Sequence, residues 1–399
     1  MRKLISLFIL FFSFFLSSQE PLFTLVNAEK TGVHFSNNLI DTPESNIFLY
    51  ANYYAGGGVG IGDFDNDGFE DIFFAGNIVE DKIYKNLGNF KFEDKTESSG
   101  IINNGSWSTG VTVADVNNDG LLDIYISCEL YDDAPFLRTN KLYINKGDFK
   151  FIESAKNWGV DVDKRTRHSV FFDYNNDGLL DLYLLNHPPN TGNFSPFFGT
   201  DMTLPEYNLQ LFENKGDHFE DVTEKAGLNR AGFPNAAVIG DFNKDGWADI
   251  YVANDFDAPD FLYFNNKNGS FTYKTESSLR HTSFYSMGVD AADINNDSYL
   301  DLMVLDMTAE DNFRLKSNMS GMNPDSFWNV VNGGGHYQYM FNTLQLNNGN
   351  NTFSDIAQFT GTAATDWSWA SLVADFDNDG NKDIYITNGL LRDIRNTDA

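Results

Sequence analysis

The 399-residue sequence predicts an all-β protein, a β-propeller of four-stranded antiparallel blades. A nine-residue acidic pattern occurs six times, with starts 52 to 82 residues apart. Each copy lies between two short runs rich in Val, Ile, Phe and Tyr, and two more strand-like runs follow most copies. Units of this kind bury both faces only by stacking around an axis as blades. A β-solenoid is the alternative, although its repeats are usually shorter.

The acidic pattern can be written D-x-[DN]-x-[DN]-G-x-x-D. Its copies are DFDNDGFED at 63, DVNNDGLLD at 115, DYNNDGLLD at 173, DFNKDGWAD at 241, DINNDSYLD at 293 and DFDNDGNKD at 375. VTVADV before the second copy and DIYIS after it predict a hairpin. KLYINKGD at 141 and LQLFENKGD at 209 predict third strands, and FEDKTESSGI at 92 and FEDVTEKAGL at 219 predict fourth strands that end in a Gly-containing loop.

The two ends of the repeat array are incomplete. FTLVNAEKTGV at 23 matches the fourth-strand segment and has no blade before it, while DIYITNGLLRDIRNTDA supplies only two strands of a last blade. We therefore expect the propeller to occupy residues 21–399 and to be truncated at its C-terminus. Closure of the ring by these two ends is the alternative.

The first 18 residues have the composition of a secretory signal peptide. A short basic start precedes an apolar run from Leu4 to Leu16, and Ser17 and Ser18 follow. Thirteen apolar-rich residues are too few to cross a bilayer comfortably, so a membrane anchor is the less favoured alternative. We expect an exported protein, secreted or associated with the cell envelope, with no membrane span once the signal is removed.

The acidic repeats predict calcium sites. Oxygen side chains at positions 1, 3, 5 and 9, without His or Cys, are typical of a hard cation, and a flexible loop favours Ca²⁺ over Mg²⁺. Gly at position 6 permits the sharp turn. Asx-turns without metal are the alternative, but they would not require Asp at the last position of all six copies. The fifth loop has Ser298 in place of Gly, so we expect it to be the weakest site.

Each predicted site has four ligand side chains. They are Asp63, Asp65, Asp67 and Asp71; Asp115, Asn117, Asp119 and Asp123; Asp173, Asn175, Asp177 and Asp181; Asp241, Asn243, Asp245 and Asp249; Asp293, Asn295, Asp297 and Asp301; Asp375, Asp377, Asp379 and Asp383.

Charge and cysteine content limit the possible functions. The formal net charge is −30, which argues against binding to nucleic acid or to an anionic membrane. Six Ca²⁺ ions would reduce it to −18, so metal accounts for part of the acidity. Cys128 is the only cysteine, which excludes an intrachain disulfide. We therefore expect calcium to tie the hairpins together in place of disulfides.

The loops resemble the FG-GAP, or VCBS-type, repeats of integrin α-chain propellers. The chain from residue 21 onward is similar to secreted repeat proteins related to cartilage acidic protein, which often carry a C-terminal ASPIC/UnbV domain. The stretch from YMFNTLQLNNGNNTFSDIAQFTG through ATDWSWASLVADFDNDGNKDIYITNG resembles a bacterial subgroup of that family. The resemblance implies a calcium-binding propeller, commonly seven-bladed, used in recognition or adhesion. Ser298 and the missing C-terminal domain depart from it.

Strand order places the acidic loops on one face of the disc and the strand two-to-three connections on the other. Two long insertions, 187–207 and 307–340, fall in those connections, and repeat proteins tend to place insertions on the binding face. We expect a protein or carbohydrate partner there, although packing between blades is an alternative role for the large side chains that precede strand one. The candidate residues are Trp107, Arg165, His168, Phe233, Tyr285 and Trp367, with Ala55 beside Tyr54 in the first copy.

No catalytic constellation is evident, and we do not expect an enzyme. The six His residues have no metal-binding spacing, and no GxSxG or phosphate loop is present. Arg165, Arg167 and His168 could serve a polysaccharide lyase, which is the alternative function. Lone basic residues at loop ends are more often solvated or paired with Asp.

Overall fold

Six antiparallel sheets surround a central channel in the computed structural model, which describes residues 22–50, 52–188, 205–256, 258–318 and 323–389. Five sheets have four strands each, and consecutive blade strands are neighbours in every sheet. The first strands of all six blades line a channel of about 310 Å³. The predicted propeller is therefore confirmed, with six blades, and the solenoid alternative is wrong.

The strands of the blades follow the repeat order. Blade one contains Val59–Gly62, Asp71–Phe74, Lys82–Asn86 and Phe92–Asp94. Blade two contains Trp107–Ala114, Asp123–Glu129, Lys141–Asn145 and Phe151–Glu153. Blade three contains Thr166–Phe172, Asp181–Asn186, Gln210–Asn214 and Phe219–Asp221. Blade four contains Pro234–Gly240, Asp249–Asn254, Phe261–Asn265 and Phe271–Tyr273.

The last two blades depart from this plan. Blade five contains Val289–Ala292, Asp301–Val304, Thr343–Asn347 and Phe353–Asp355. Blade six has Asp366–Ala374 and Asp383–Asn388, and Met307–Thr308 pairs with the start of its first strand. A separate parallel pair joins Thr282–Ser283 to Gln338–Tyr339.

Short helices follow the fourth strands, and sequence analysis did not predict them. They are Thr96–Ser99, Ala155–Trp158, Thr223–Ala226, Thr275–Ser278 and Ala357–Thr360, with Ala28–Thr31 in the N-terminal segment. One helical turn is too short to produce a visible hydrophobic period. The glycine that ends most of these turns, such as Gly159 with φ of 74°, was the only local signal. The remaining helices are Pro135–Leu137 (3₁₀), Asn312–Asn318 and Pro324–Asn332.

The core lies between neighbouring blades, where aromatic rings pack from one repeat onto the next. The ring at loop position 2 contacts the ring that begins the fourth strand of the following blade. The centroid distances are 5.9 Å for Phe64–Phe151, 6.2 Å for Tyr174–Phe271 and 6.5 Å for Phe242–Phe353. Each blade therefore depends on its neighbour to cover its apolar surface.

The last blade is less covered than the others. Tyr385 on its second strand is 43% exposed, whereas the equivalent Tyr251 in blade four is fully buried. The N-terminal Phe23 packs on Phe376 and Tyr385, at centroid distances of 5.6 and 5.5 Å. Phe23 thus takes the place that a following blade's fourth strand has elsewhere. A seventh blade, the 21–399 boundary and the C-terminal truncation remain predictions.

Two predictions concern segments that lie partly or wholly outside the described residues. The signal peptide at residues 1–18 and most of the first long insertion, 189–204, lie outside the described residues, as do residues 319–322 of the second insertion. Across the portions that are described, no helix is both long enough and apolar enough to cross a membrane.

Candidate metal loops and the opposite face

Backbone hydrogen bonds close each acidic loop onto its first Asp. In the first loop, Oδ1 of Asp63 accepts from the backbone N–H of Asp67 at 3.0 Å, and Oδ2 accepts from Gly68 at 2.8 Å. The same pair of bonds occurs in the other five loops, for example at 2.9 and 2.8 Å on Asp241. Each loop is therefore a fixed turn on one face of the disc.

The turn requires two residues with positive φ. Position 6 has Gly with φ of 85° to 90° in five loops, and Ser298 is held at 69° in the fifth, as its place in the pattern predicted. Position 4 has φ of 54° to 60° and is Asn in five loops and Lys244 in the fourth. Sequence analysis missed position 4, although Asn tolerates the left-handed region better than most residues.

The carboxylates at positions 1, 3 and 9 converge in the loops where all three are Asp. In the first and last loops, these three groups offer oxygens within 4.8 Å of one another; they are Asp63, Asp65 and Asp71, and Asp375, Asp377 and Asp383. In the other four loops, position 3 is Asn. An all-oxygen donor set fits a hard cation such as Ca²⁺.

The last Asp of each of the first five loops is buried without a cationic partner among the described residues. Burial raises the pKa of Asp71 to about 6 and that of Asp181 to about 7, and the neighbouring loop carboxylates act in the same direction. Two backbone N–H groups partly offset these effects. Negative charges crowded in this way would be stabilised by a divalent cation among them, which also fits calcium.

In the first loop, the ammonium group of a lysine lies between two of the loop carboxylates. Nζ of Lys85 contacts a carboxylate oxygen of Asp65 and lies 2.8 Å from Oδ2 of Asp67. These contacts lower the pKa of Asp67. The loop therefore attracts a cation, and a metal ion entering it would compete with Lys85.

An asparagine at the end of strand three connects consecutive loops, which sequence analysis did not anticipate. The backbone N–H of Asn265 donates to Asp249 at 2.8 Å, and its Nδ2 donates to the carbonyls of Ala248 at 3.2 Å and Tyr174 at 2.8 Å. Tyr174 is position 2 of the preceding blade's loop. Equivalent bonds to the preceding loop come from Asn145, Asn214 and Asn347, each at 2.8 or 2.9 Å.

The same links decide which residues of two turns on the loop face are exposed. The sequence predicts that the Asn-Lys-Gly turns at 145–147 and 214–216, which follow third strands, are exposed. Asn145 and Asn214 are instead 0% and 1% exposed, because their side chains join the loops of adjacent blades. Only the lysine and glycine of each turn face solvent.

Three aromatic candidates for the partner face are buried. Trp107, Phe233 and Trp367 are 1%, 1% and 4% exposed and pack against neighbouring rings and strands. Trp107 contacts Tyr50 and Tyr53, at 5.7 and 5.4 Å between centroids. The alternative of packing therefore describes these three side chains, and they do not form an exposed binding surface. Tyr285 is partly buried.

The basic candidates lie in blade three, at two different places. Arg165 donates to Oδ1 of Asp132 at 3.1 Å and to Oδ2 at 2.5 Å. His168 instead lines the central channel beside Arg167. Burial and the charge of Arg167 lower the pKa of His168 to about 4, so the imidazole is neutral near pH 7.

The face opposite the acidic loops differs from blade to blade. Its strand two-to-three connections range from 6 residues in blade four, 255–260, to 38 in blade five, 305–342. They carry exposed rings at Phe136, Phe313, Trp328 and Tyr337, which are 75%, 66%, 53% and 41% exposed.

A ladder of rings supports the exposed Trp328. Phe327 contacts Trp328 at 5.1 Å and stacks on Tyr339 at 5.5 Å, and Tyr339 stacks on Phe341 at 5.8 Å with planes 6° apart. The short helix Pro324–Asn332 thereby presents Trp328 from a fixed base.

The fold and the loops define a repeat propeller with acidic turns on one face. Sequence comparison agrees, because the FG-GAP-like repeat family matches residues 63–126, 198–252, 241–304 and 323–386, more than half of the chain. The chain belongs to the FG-GAP-like repeat family.

Two relatives share this repeat region. Cartilage acidic protein 1 of Xenopus tropicalis is 24% identical over 235 residues, 58% of this chain and 34% of the relative. Cartilage acidic protein 1 of Mus musculus is 26% identical over 209 residues, 51% of this chain and 29% of the relative. The similarity thus spans about a third of each relative's length.

Two solved structures show partial similarity to this chain. An Agrocybe aegerita lectin that recognises non-reducing terminal N-acetylglucosamine has a TM-score of 0.44 and 17% identity, over 82% of this chain and 73% of the lectin. The V. cholerae biofilm matrix protein Bap1 has a TM-score of 0.34 and 14% identity, over 64% of this chain and 36% of Bap1.

Proposed function

We propose that this protein is an exported, calcium-binding recognition module that is not an enzyme. Calcium occupies the acidic loops and stabilises the propeller, and a protein or glycan partner binds the opposite face. The observation that carries the proposal is the contrast between the faces. One face repeats a single acidic turn, and the other varies in length and in exposed rings from blade to blade.

Calcium is supported by the chemistry of the loops. Their side-chain donors are all oxygens, the last Asp is buried among other carboxylates, and the Lys85 ammonium bonds two carboxylates of the first loop. All of these features favour a cation. The loops lie at the ends of hairpins, so a bound ion would fix strands one and two of each blade.

Recognition on the opposite face is supported by the insertions and by the aromatic side chains that they hold. Exposed Trp and Tyr side chains provide large contact area at little conformational cost and stack on sugars or grip peptides. Trp328 and Tyr337 meet this description, whereas the buried Trp107 and Trp367 do not. Export is supported by the N-terminal segment at residues 1–18.

The test compares partner binding by variants of the two faces. Purified protein is applied to a glycan array and to a panel of extracellular matrix proteins, with calcium and with chelator. Trp328→Ala with Tyr337→Ala should reduce a detected signal at least tenfold, and Lys146→Ala on the loop face should leave it unchanged. Retention of calcium binding and of the melting temperature shows that both variants fold.

Two results would contradict the proposal. If partner binding is lost only in the Lys146→Ala variant, the partner binds the loop face, which contradicts the proposal. Turnover of a polysaccharide that stops in the His168→Ala variant would show that the protein is an enzyme, as in the lyase alternative.

A further inference from the structure

The charge pattern of the central channel differs from that of the rest of the chain. The whole sequence has 57 Asp and Glu against 27 Lys and Arg. Among the described residues that line the channel, no Asp or Glu occurs, and Arg167 and His168 are the only ionisable side chains. The rest of the wall consists mainly of glycine, alanine and other apolar residues.

Blade three alone provides this pair. Five residues before the first loop Asp, the other blades have only glycine or alanine; in order, the six residues are Gly58, Gly110, His168, Ala236, Gly288 and Ala370. A Cβ atom added at Gly110 would lie 2.9 Å from Nδ1 of His168, so this glycine provides the space that the imidazole occupies. One position before, Arg167 aligns with Gly57, Thr109 and Asn235 of other blades.

Both side chains have unused hydrogen-bonding capacity. The Arg167 side chain is 10% exposed, and its one hydrogen bond to described residues is a long one, 3.3 Å from Nη1 to Oε2 of Glu129. A guanidinium has five N–H donors. Within the described ranges, neither ring nitrogen of His168 has a hydrogen-bond partner. Donors of this kind are normally satisfied by protein, water or ligand.

Charged groups behind the wall limit the net positive charge. Glu129 is fully buried, and although burial alone would raise its pKa, Arg167 and His187 lower it below the usual value, so this carboxylate is ionised. Asp255 also acts on Arg167, and Arg165 is paired with Asp132. The guanidinium fork can serve two carboxylates at once, so Glu129 does not exhaust it.

We propose that the channel binds a carboxylate group of a small ligand, held by Arg167 and His168. The volume of about 310 Å³ is enough for a ligand the size of a monosaccharide. The donors lie near the start of strand one, at the end of the channel that opens toward the face opposite the loops. The inference rests on the proposed function in placing the ligand at that face, and it names the chemistry of the ligand.

The carboxylate can come from an acidic sugar or from an acidic peptide side chain, so the experiment uses both sources. D-glucuronate and N-acetyl-L-glutamate amide are titrated by calorimetry into the full chain with calcium. D-glucose and N-acetyl-L-glutamine amide are the uncharged counterparts. We expect an acid to bind with a Kd of about 1 mM or tighter and its uncharged counterpart to bind at least tenfold more weakly.

Variants connect this binding to the two residues. His168→Ala reproduces the residue found in blades four and six and should therefore fold; we expect it to weaken acid binding about fivefold or more. The double variant Arg167→Gln with Glu129→Gln removes both buried charges, so that neither is left unpaired. We expect this double variant to abolish acid binding. His218→Ala, an exposed histidine on the loop face, is the matched control and should have no effect.

A second readout follows the imidazole itself. In spectra of protein labelled with ¹³C in its histidine rings, the signal that His168→Ala removes should move when the acid is added. The inference is overturned if neither acid binds, if acid and uncharged counterpart bind equally, or if both variants keep wild-type affinity. If a glycan or protein partner is lost in the Trp328 variant while neither acid binds, the proposed function stays intact and only this inference is removed.

Discussion

The two faces of the disc differ in how far their residues repeat from blade to blade. On the loop face, six turns share the same ligand positions, the same pair of bonds to the first Asp and the same two positive-φ positions. On the opposite face, the residues at equivalent strand-two ends are all different. They are Asn77, Glu129, His187, Asp255, Met307 and Gly389.

This difference distinguishes residues that maintain the architecture of every blade from residues that have a role in one blade only. A feature repeated in every blade has the same task in every blade, and here that task is to close a hairpin and join it to its neighbour. A feature present in one blade, such as His168 or the helix bearing Trp328, cannot be required by the blade architecture. Single-blade features are therefore the better candidates for recognition.

Removing calcium should have the largest effect on the loop face. One independent site at 100 times its Kd contributes about 2.7 kcal/mol to the free energy of unfolding, and several sites act together. Thermal unfolding in excess calcium and in excess chelator should give clearly separated transitions. Superimposable curves from protein with intact loop sequences would mean that the loops are metal-free Asx-turns.

The second largest effect on stability should come from removing one of the asparagine hydrogen bonds that link neighbouring loops. Asn265→Ala leaves the carbonyls of Ala248 and Tyr174 without their buried donor, and we expect a loss of about 3 kcal/mol in the free energy of unfolding. The neighbouring Asn266 is exposed, so Asn266→Ala is the control and should change stability by less than about 0.5 kcal/mol. Equal effects in denaturant titrations would contradict the linking role of Asn265.

The fifth loop should respond to relief of its strained residue. Ser298 has φ of 69°, and replacing it by Gly should stabilise the turn by about 1 kcal/mol and increase calcium occupancy there. Gly380→Ser in the last loop should have the reverse effect.

Loss of a ligand provides a second comparison of these sites. Asp67→Ala or Asp379→Ala should reduce calcium-dependent stability more than Asp297→Ala, because the fifth loop binds more weakly from the start. Calcium titrations in which all three substitutions cause the same loss would refute this ranking.

The smallest effect should come from the lysine that competes in the first loop. Lys85→Met removes the ammonium from Asp65 and Asp67, and because this group is partly exposed, the calcium affinity of the loop should rise only a few-fold, by less than about 1 kcal/mol. Lys146→Met, on the same face but away from the ligands, is the control. A fall in calcium affinity in the Lys85 variant would show that this lysine supports the site.

The sequence predicted what is local and repeated, and it missed what arises between blades. The six loops, the hairpins and the strained Ser298 follow from residues adjacent in the chain, whose chemistry is visible without a fold. The Asn265 link to Tyr174 joins residues 91 positions apart. Nothing in either local pattern indicates that contact.

The exposure of aromatic side chains could not be predicted from the sequence, because it also depends on contacts between distant segments. Trp107 and Trp328 are both large side chains near predicted loops, yet Trp107 is 1% exposed and Trp328 is 53% exposed. Their exposure depends on which segments cover them, and sequence period alone does not report this. His168 of the basic pair in blade three departs from the glycine or alanine of the other copies already in the sequence, but only the fold shows that these positions line one channel.

The most direct test of the account is the number of calcium ions bound per chain. After equilibrium dialysis against calcium, metal analysis of the purified protein should find six ions per chain, and calorimetric titration should show the fifth-loop site filling last. Asp245→Ala should remove one ion, and Trp328→Ala on the opposite face should remove none. A folded protein that retains no calcium, or that loses calcium equally in both variants, would contradict the division of roles between the two faces.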